Sequence, residues 1–377
     1  MSFYEKYGVR PLINASETYT RIGGSLMPAA AVHAMEEASH DFVDMHEWMD
    51  AVCRKAAELT QNEAAFVTSG AAAGVILASA SLLTHDRPEL AEQLPHIEQE
   101  PRKEILIYDG VYQKIVHYWH MVSFSGAVLK RVAPDIDSLR NAVSKNTVGM
   151  FLFPAPMYEE GIPTVEETIP ILNELGIPSV VDAAAQLPPK SNLYYYTKGL
   201  GATMAIFSGG KHIKGPQATG LIVGRKTFID ACRTQACPNP LIGRGFKTGK
   251  EELAGFITAL EIFVNEDPKT KYAQQKELLV QLDQLLDRSI LHTEILDTGR
   301  LGTEQPLMVV YMPEGYTGEE CNRFTRTCDP IVDVGVFKPE NHYPDNCIFL
   351  NAYNLTNKEV PVVADAVNKY IYSKKEG

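Results

Sequence analysis

Short, continuous apolar runs recur along the first two thirds of the chain, at 64–67, 105–108, 127–132, 149–153, 178–181, 204–207 and 220–223. Between several of them the apolar residues fall at three- and four-residue spacing. Runs of this length bounded by polar residues predict buried strands, and the longer period predicts helices. Their alternation predicts an α/β architecture, a mostly parallel seven-stranded sheet covered by helices on both faces. Before the sheet, 29–38 and 45–59 read as helices; after it, 251–264 is a clean amphipathic helix. From residue 265 the order changes to a helix (272–286), strands (293–296, 308–311, 331–337, 348–350) and a last helix (358–370), a smaller α+β layer. The first 24 residues carry no long periodic element. The organisation expected is an N-terminal arm (1–24), a large domain (25–255) and a small C-terminal domain (256–377). Residues 86–103, rich in Glu, Pro and Gln, read as a solvated excursion from the large domain.

A chain of 377 residues with 22% charged and 45% hydrophobic residues suits a globular protein able to bury a large core. The net charge of −12 opposes a nucleic-acid partner, which needs a basic footprint. No start resembles a signal peptide and no apolar stretch could span a bilayer, so a cytoplasmic protein without a membrane partner is expected. The six cysteines form no CxxC pair, which points to buried thiols and to no metal site.

The chemistry gathers around Phe207-Ser208-Gly209-Gly210-Lys211. An apolar strand there delivers a glycine-rich loop, and Gly209 and Gly210 permit a sharp bend and a close approach to a ligand. A lysine desolvated at a strand end can lose its proton and attack a carbonyl. The alternative is an ordinary turn with an exposed lysine. About one βαβ unit earlier, Asp182 ends another apolar run, and strand ends of an α/β sheet face one crevice. A carboxylate there can keep a pyridinium nitrogen protonated while the lysine forms a Schiff base, the two groups that pyridoxal 5'-phosphate requires. Thr68-Ser69-Gly70-Ala71 reads as strand, tight turn and the start of a small-residue helix, whose free amides would bind a phosphate. The alternative there is Ser69 as a simple N-cap. Phosphate cup, carboxylate and lysine in that chain order point to a fold-type I pyridoxal-phosphate enzyme.

Three stretches carry a resemblance: Ser208-Gly209-Gly210-Lys211 with Gly215-Pro216-Gln217, residues 68–73, and residues 13–20. They resemble the family of bacterial selenocysteine synthase (L-seryl-tRNA selenium transferase), and within it the branch that contains D-glucosaminate-6-phosphate ammonia-lyase. The likeness runs from about residue 8 to 260. It implies that the arm lies along the active-site mouth, with Thr20 and Arg21 as substrate contacts. It implies a flat side chain over the cofactor ring after the second strand, where Tyr112, His117 and His120 all qualify and Tyr112 is preferred. By the same resemblance Ser208 bonds the cofactor phosphate. Gln186 donates to the cofactor's phenolic oxygen, although a similar glutamine in cysteine desulfurases stands one residue nearer its aspartate. Arg244, Lys247 and Lys250 form the one compact basic patch, matching a family segment that reaches into the active site, often the neighbouring subunit's. Their alternative is a solvated loop. The small-domain arginine that clamps a substrate carboxylate in many fold-type I enzymes is missing from residues 349–354, which leaves Arg21 or Arg244 for that task.

The expectation is therefore a homodimeric or larger pyridoxal-phosphate lyase acting on a small hydroxylated amino acid or amino sugar acid. D-Glucosaminate 6-phosphate is the candidate substrate, with a 2-keto acid and ammonia as products. Lys211 and Asp182 are the catalytic residues expected. The alternatives are selenium transferase-like, aldolase or racemase chemistry, or a cofactor-binding regulator.

Overall fold

A computed structural model describes residues 2–114, 119–338 and 341–374. The chain divides into two compact units, Ser25–Asn265 and a second built from Met1–Gly24 with Glu266–Gly377. The boundary thus lies at the end of the helix Lys250–Asn265 rather than within it, and the arm groups with the C-terminal residues.

The strands are β1 Leu12–Ala15, β2 Ala64–Thr68, β3 Glu104–Tyr108, β4 Val128–Val132, β5 Thr147–Leu152, β6 Ser179–Asp182, β7 Met204–Ser208, β8 Gly220–Gly224, β9 His292–Leu296, β10 Leu307–Tyr311, β11 Ile331–Val336 and β12 Cys347–Leu350. In the larger unit seven of them form one sheet in the order β2-β8-β7-β6-β5-β3-β4. The β7-β6-β5-β3-β4 run is parallel, and β8 alone is antiparallel to both its neighbours. All seven predicted runs are strands of this sheet, because a parallel strand covered on both faces is apolar along its length. In β5, β6 and β8 every residue is buried, whereas β4, at the edge, is exposed at its start.

The helix Ala71–Thr84 has no polar face and is buried from Ala73 to its last residue, as a helix apolar all round must be. It is held between the sheet and the helix Lys226–Gln235. A side chain at Gly74 would press on Ile206 of β7 and Ile222 of β8, and Ser81 Oγ donates to the Phe228 carbonyl at 2.7 Å. Residues 86–103 differ from expectation: Leu90, Ala91, Leu94 and Ile97 are buried, so their apolar side chains fold back onto the core beneath a polar surface.

In the smaller unit five strands take the order β1-β11-β12-β10-β9. The arm, in which the sequence shows no long periodic element, supplies β1, parallel to β11 with Leu12 opposite Ile331 and Asn14 opposite Asp333. Four residues are too few to show a period, and their partner lies more than three hundred residues away. The helices Pro268–Leu285 and Val360–Ser373 pack Leu279, Leu282, Val363, Val367 and Ile371 into this unit's own core.

Candidate active site

The candidate site lies at one end of the strands of the seven-stranded sheet. Asp182 is the last residue of β6 and pairs with Ile206 of the parallel β7, which ends at Ser208. Gly220, the first residue of β8, stands opposite Ser208 on one side and Thr68 of β2 on the other. The chain therefore leaves β2 into Ser69-Gly70-Ala71, β6 into residues 183–186 and β7 into the lysine loop, all at the same end of the strands. With strands about 5 Å apart, neighbouring ends are within reach of one small ligand.

Around Lys211 the loop is closed on itself. Gly209 N–H donates to the Thr219 carbonyl at 2.9 Å, Gly215 N–H to the Gly209 carbonyl at 2.8 Å, and Thr219 Oγ1 to the Pro216 carbonyl at 2.6 Å. Ser25 Oγ donates to the Lys211 carbonyl at 2.7 Å. The two glycines serve this closure. A Cβ on Gly210 would stand 2.4 Å from the Gln217 Cα, and one on Gly209 would meet Thr219 Oγ1 at 2.1 Å and Phe256 at 2.9 Å. Neither has a positive φ; the left-handed residue of the loop is Lys214, at φ 58°. Lys211 is half-buried in this frame and Asp182 is buried, with its Oδ1 accepting from the Ala184 N–H at 3.0 Å.

At the end of β2, Gly70 (φ 93°) is the N-cap of Ala71–Thr84, and no side chain caps that helix. Ser69 is thus not its N-cap, and Thr68 Oγ1 instead donates to the Gly70 carbonyl at 2.9 Å. Gly220 permits the approach: a Cβ there would lie 2.5 Å from the Gly70 carbonyl carbon and 2.6 Å from the Ala71 nitrogen. Ser69, Gly70 and Ala71 are partly exposed above a buried helix, an anion cradle by geometry and by the sign of the helix dipole.

The remaining candidates separate. Tyr112 is half-buried, stacked on Trp119 at 5.6 Å with the Arg131 guanidinium 4.8 Å from its ring centre. His120 is exposed, and His117 lies outside the described residues. Gln186 is half-buried, and its backbone carbonyl accepts from Asn192 Nδ2 at 2.6 Å. In the smaller unit Thr20 is exposed and Arg21 forks onto the buried carboxylate of Asp333, both bonds at 3.0 Å. Sequence reasoning passed over Asp333, which stands in an apolar run like any strand residue. Lys250 is committed to structure: Nζ donates to Glu251 Oε1 at 2.6 Å and to the Ala38 carbonyl that ends the helix Ala29–Ser39. Arg244 and Lys247 are exposed and no carboxylate is bonded to either among the described residues; Arg244 donates to Cys237 Sγ at 3.6 Å. Both line a cavity of about 430 Å³ whose walls include Phe42, Met49 and Cys237.

The donor set suits pyridoxal 5'-phosphate group by group: a helix start for a phosphate dianion, a buried strand-end carboxylate for the pyridine nitrogen, and an amine on a rigid loop for the carbonyl. Among the described residues no cluster of His, Cys, Asp and Glu could hold a metal ion. Burial pushes the Cys232 and Cys321 thiols up to about 12, as expected of cysteines that serve packing.

The family model for L-seryl-tRNA selenium transferase matches residues 160–298. The chain is 28% identical over 303 residues to a 5'-C-glycyluridine monooxygenase-decarboxylase from a Streptomyces species, covering 76% of this chain and 71% of that one. It is 27% identical over 270 residues to D-glucosaminate-6-phosphate ammonia lyase of Salmonella typhimurium, covering 69% of each. The L-seryl-tRNA(Sec) selenium transferase of Pasteurella multocida is 27% identical over 291 residues, but the chain spans only 58% of its length. In three dimensions a D-glucosaminate-6-phosphate ammonia-lyase superposes with a TM-score of 0.82 at 21% identity, covering 99% of both chains. The ureidoglycine-glyoxylate aminotransferase of Bacillus subtilis superposes at 0.63 and 12%, covering 97% and 94%. The chain is thus similar throughout to fold-type I proteins, a relative of L-seryl-tRNA selenium transferase near the D-glucosaminate-6-phosphate ammonia-lyase branch, and its cofactor is pyridoxal 5'-phosphate.

Proposed function

We propose that the protein is a lyase that removes ammonia from a hydroxylated amino acid or amino sugar acid by α,β-elimination, leaving a 2-keto acid. The observation that carries this reading is the convergence of Ser69–Ala71, Asp182 and Ser208–Lys211 at one end of the sheet's strands. Bound there, the cofactor supplies an electron sink for bond breaking at the substrate's α-carbon. Lys211 would hold the cofactor through its side-chain amine, and that amine, when neutral and free, would take the substrate's α-proton. Asp182 keeps a proton on the pyridine nitrogen. Ser69, Gly70, Ala71 and Ser208 bind the phosphate, Gln186 the phenolic oxygen, and Tyr112 flanks the ring. Arg244 and Lys247 take the distal phosphate of a substrate such as D-glucosaminate 6-phosphate; Lys250, occupied by Ala38 and Glu251, is left out. Remote binding of that kind orients the reacting carbons. Thr20 completes the substrate contacts, and the active form is a homodimer or larger.

The test is direct. The wild type should be yellow, carry the cofactor covalently after borohydride treatment and release keto acid and ammonia; Lys211→Ala should give no covalent adduct and no product. A reducible adduct in Lys211→Ala removes the lysine assignment, and wild-type protein that never forms keto acid removes the lyase. The selenium transferase match supports one rival, transfer on a tRNA-borne substrate. Filter retention of tRNA at low salt decides it, with no retention expected of a chain carrying a net charge of −12.

A further inference from the structure

We propose that Ser25 is a positioning residue for Lys211: it holds the peptide groups on both sides of the lysine's Cα and so fixes the direction in which the amine is presented. The proposal rests on Lys211 being the residue that bonds the cofactor. Ser25 N–H donates to the Gly210 carbonyl at 3.1 Å, and Ser25 Oγ donates to the Lys211 carbonyl at 2.7 Å. The Gly210 carbonyl belongs to the peptide plane that precedes Lys211, and the Lys211 carbonyl to the plane that follows. Between two such planes the only soft dihedrals are φ and ψ of Lys211, and they set where its side chain starts. Ser25 Oγ also lies 3.0 Å from the Gly210 carbonyl, but a hydroxyl has one proton and the shorter contact takes it. The Lys214 N–H reaches the same Lys211 carbonyl at 3.0 Å, so the turn is closed from within and held from outside.

The outside hold matters because of what precedes the lysine. Gly209 and Gly210 are demanded by close packing, yet they make the backbone leading into Lys211 the most permissive stretch of the loop. The bonds among Gly209, Gly215 and Thr219 close the base of the loop, whereas Ser25 acts at the lysine itself, from 186 positions away in the chain. Ser25 is in turn well seated. It is half-buried and stands four positions before the helix Ala29–Ser39. A Cβ on Gly255 would lie 2.7 Å from Met35 of that helix and 3.0 Å from Pro216 of the lysine loop. The helix Ala29–Ser39, the helix Lys250–Asn265 and the lysine loop thus meet in one packed place, and Ser25 hangs from it. An amine presented from such a frame meets a carbonyl without first losing its own freedom.

The test measures the affinity of the full-length protein, stripped of cofactor, for two probes. One is pyridoxal phosphate; the other is its analogue with a methyl group in place of the aldehyde, which cannot bond to an amine. The wild type should prefer the aldehyde strongly. Ser25→Ala should narrow that preference roughly tenfold, the fold-change of one net hydrogen bond, by weakening the aldehyde probe and leaving the analogue unchanged. Ser25→Thr, which keeps the hydroxyl, should restore the preference, and Ser25→Cys, a weak donor, should fall between. Equal loss of both affinities, as a merely structural role would give, or an undiminished preference in Ser25→Ala overturns the proposal. Lys211→Ala, which should bind both probes alike, separates the two readings. A persistent aldehyde preference there removes Lys211 itself, whereas its disappearance beside an unchanged Ser25→Ala removes only the role of Ser25. Should Ser25→Ala fail to fold, the contrast between Ser25→Thr and Ser25→Cys decides the matter in the same way.

Discussion

Asp333 shows how a single residue sets a local balance. Burial pushes its carboxyl up, but the bonds from Arg21, Ser16 and Arg326 outweigh burial and hold it below the usual carboxylate value. A group depressed in the folded state contributes stability above its unfolded value, about 4, and loses it as pH falls through the folded value. The gap in Tm between wild type and Asp333→Asn should therefore be widest above about pH 5 and narrow below about pH 4. A gap that does not change with pH would exclude an ionised Asp333. Gly220 makes a second case, since its role is purely steric. Gly220→Ala forces a methyl against the Gly70 carbonyl carbon and the Ala71 nitrogen, backbone atoms that cannot give way cheaply. We expect a loss of about 1–3 kcal/mol from overpacking. Cofactor retention should fall with it, measured by dialysis against a competing aldehyde reagent; full retention would separate Gly220 from the cradle.

At the scale of elements, the helix Lys250–Asn265 links the lysine loop to the basic segment before it. Phe256, fully buried, lies beside Gly209 and Gly215, and Gly255 lies against Met35 and Pro216. Phe256→Ala should cost about 3–5 kcal/mol and loosen the seat of Lys211. Slower or incomplete borohydride trapping at full folding would show the second effect apart from the first. At the start of the same helix, Lys250 ends the helix Ala29–Ser39 while Arg244 and Lys247 stand exposed. Lys250→Met should lower stability by about 1.5–3 kcal/mol, the range for a hydrogen bond from a charged donor, and leave KM for a phosphorylated substrate unchanged. Arg244→Ala should do the reverse, raising KM for the phosphorylated substrate with the cofactor spectrum intact. A shared phenotype would return Lys250 to the binding set. These predictions rest on tertiary partners. In the sequence Arg244, Lys247 and Lys250 form one basic patch with nothing to rank them, and only Ala38, more than two hundred positions away, singles out Lys250.

For the molecule as a whole, the two units have separate cores, and the arm is part of the second one. Removing residues 1–24 strips β1 from β11 and takes Ser16 and Arg21 from Asp333, exposing a strand edge and a half-paired buried carboxylate. Such a truncation is expected to unfold at lower temperature and to aggregate, and light scattering during a thermal ramp reads both. Unchanged unfolding would mean that β1 is only laid on the sheet. No helix among the described residues is long and apolar enough to cross a membrane.

The sheet of the larger unit was legible from the chain because its strands are buried on both faces, and unbroken apolar runs need no knowledge of their neighbours. Lys211, Asp182 and the Ser69–Ala71 turn were legible for a related reason: each directly follows or ends such a run, and the geometry of an α/β sheet brings those strand ends together. Tertiary structure alone decided what the polar residues do. That Arg21 is anchored on Asp333, that Lys250 is tied to Ala38 and Glu251, and that Leu12–Ala15 forms a strand all depend on partners supplied by other segments of the chain. A charged side chain states its chemistry in the sequence, but its partner is a matter of three-dimensional position, and no local period encodes it.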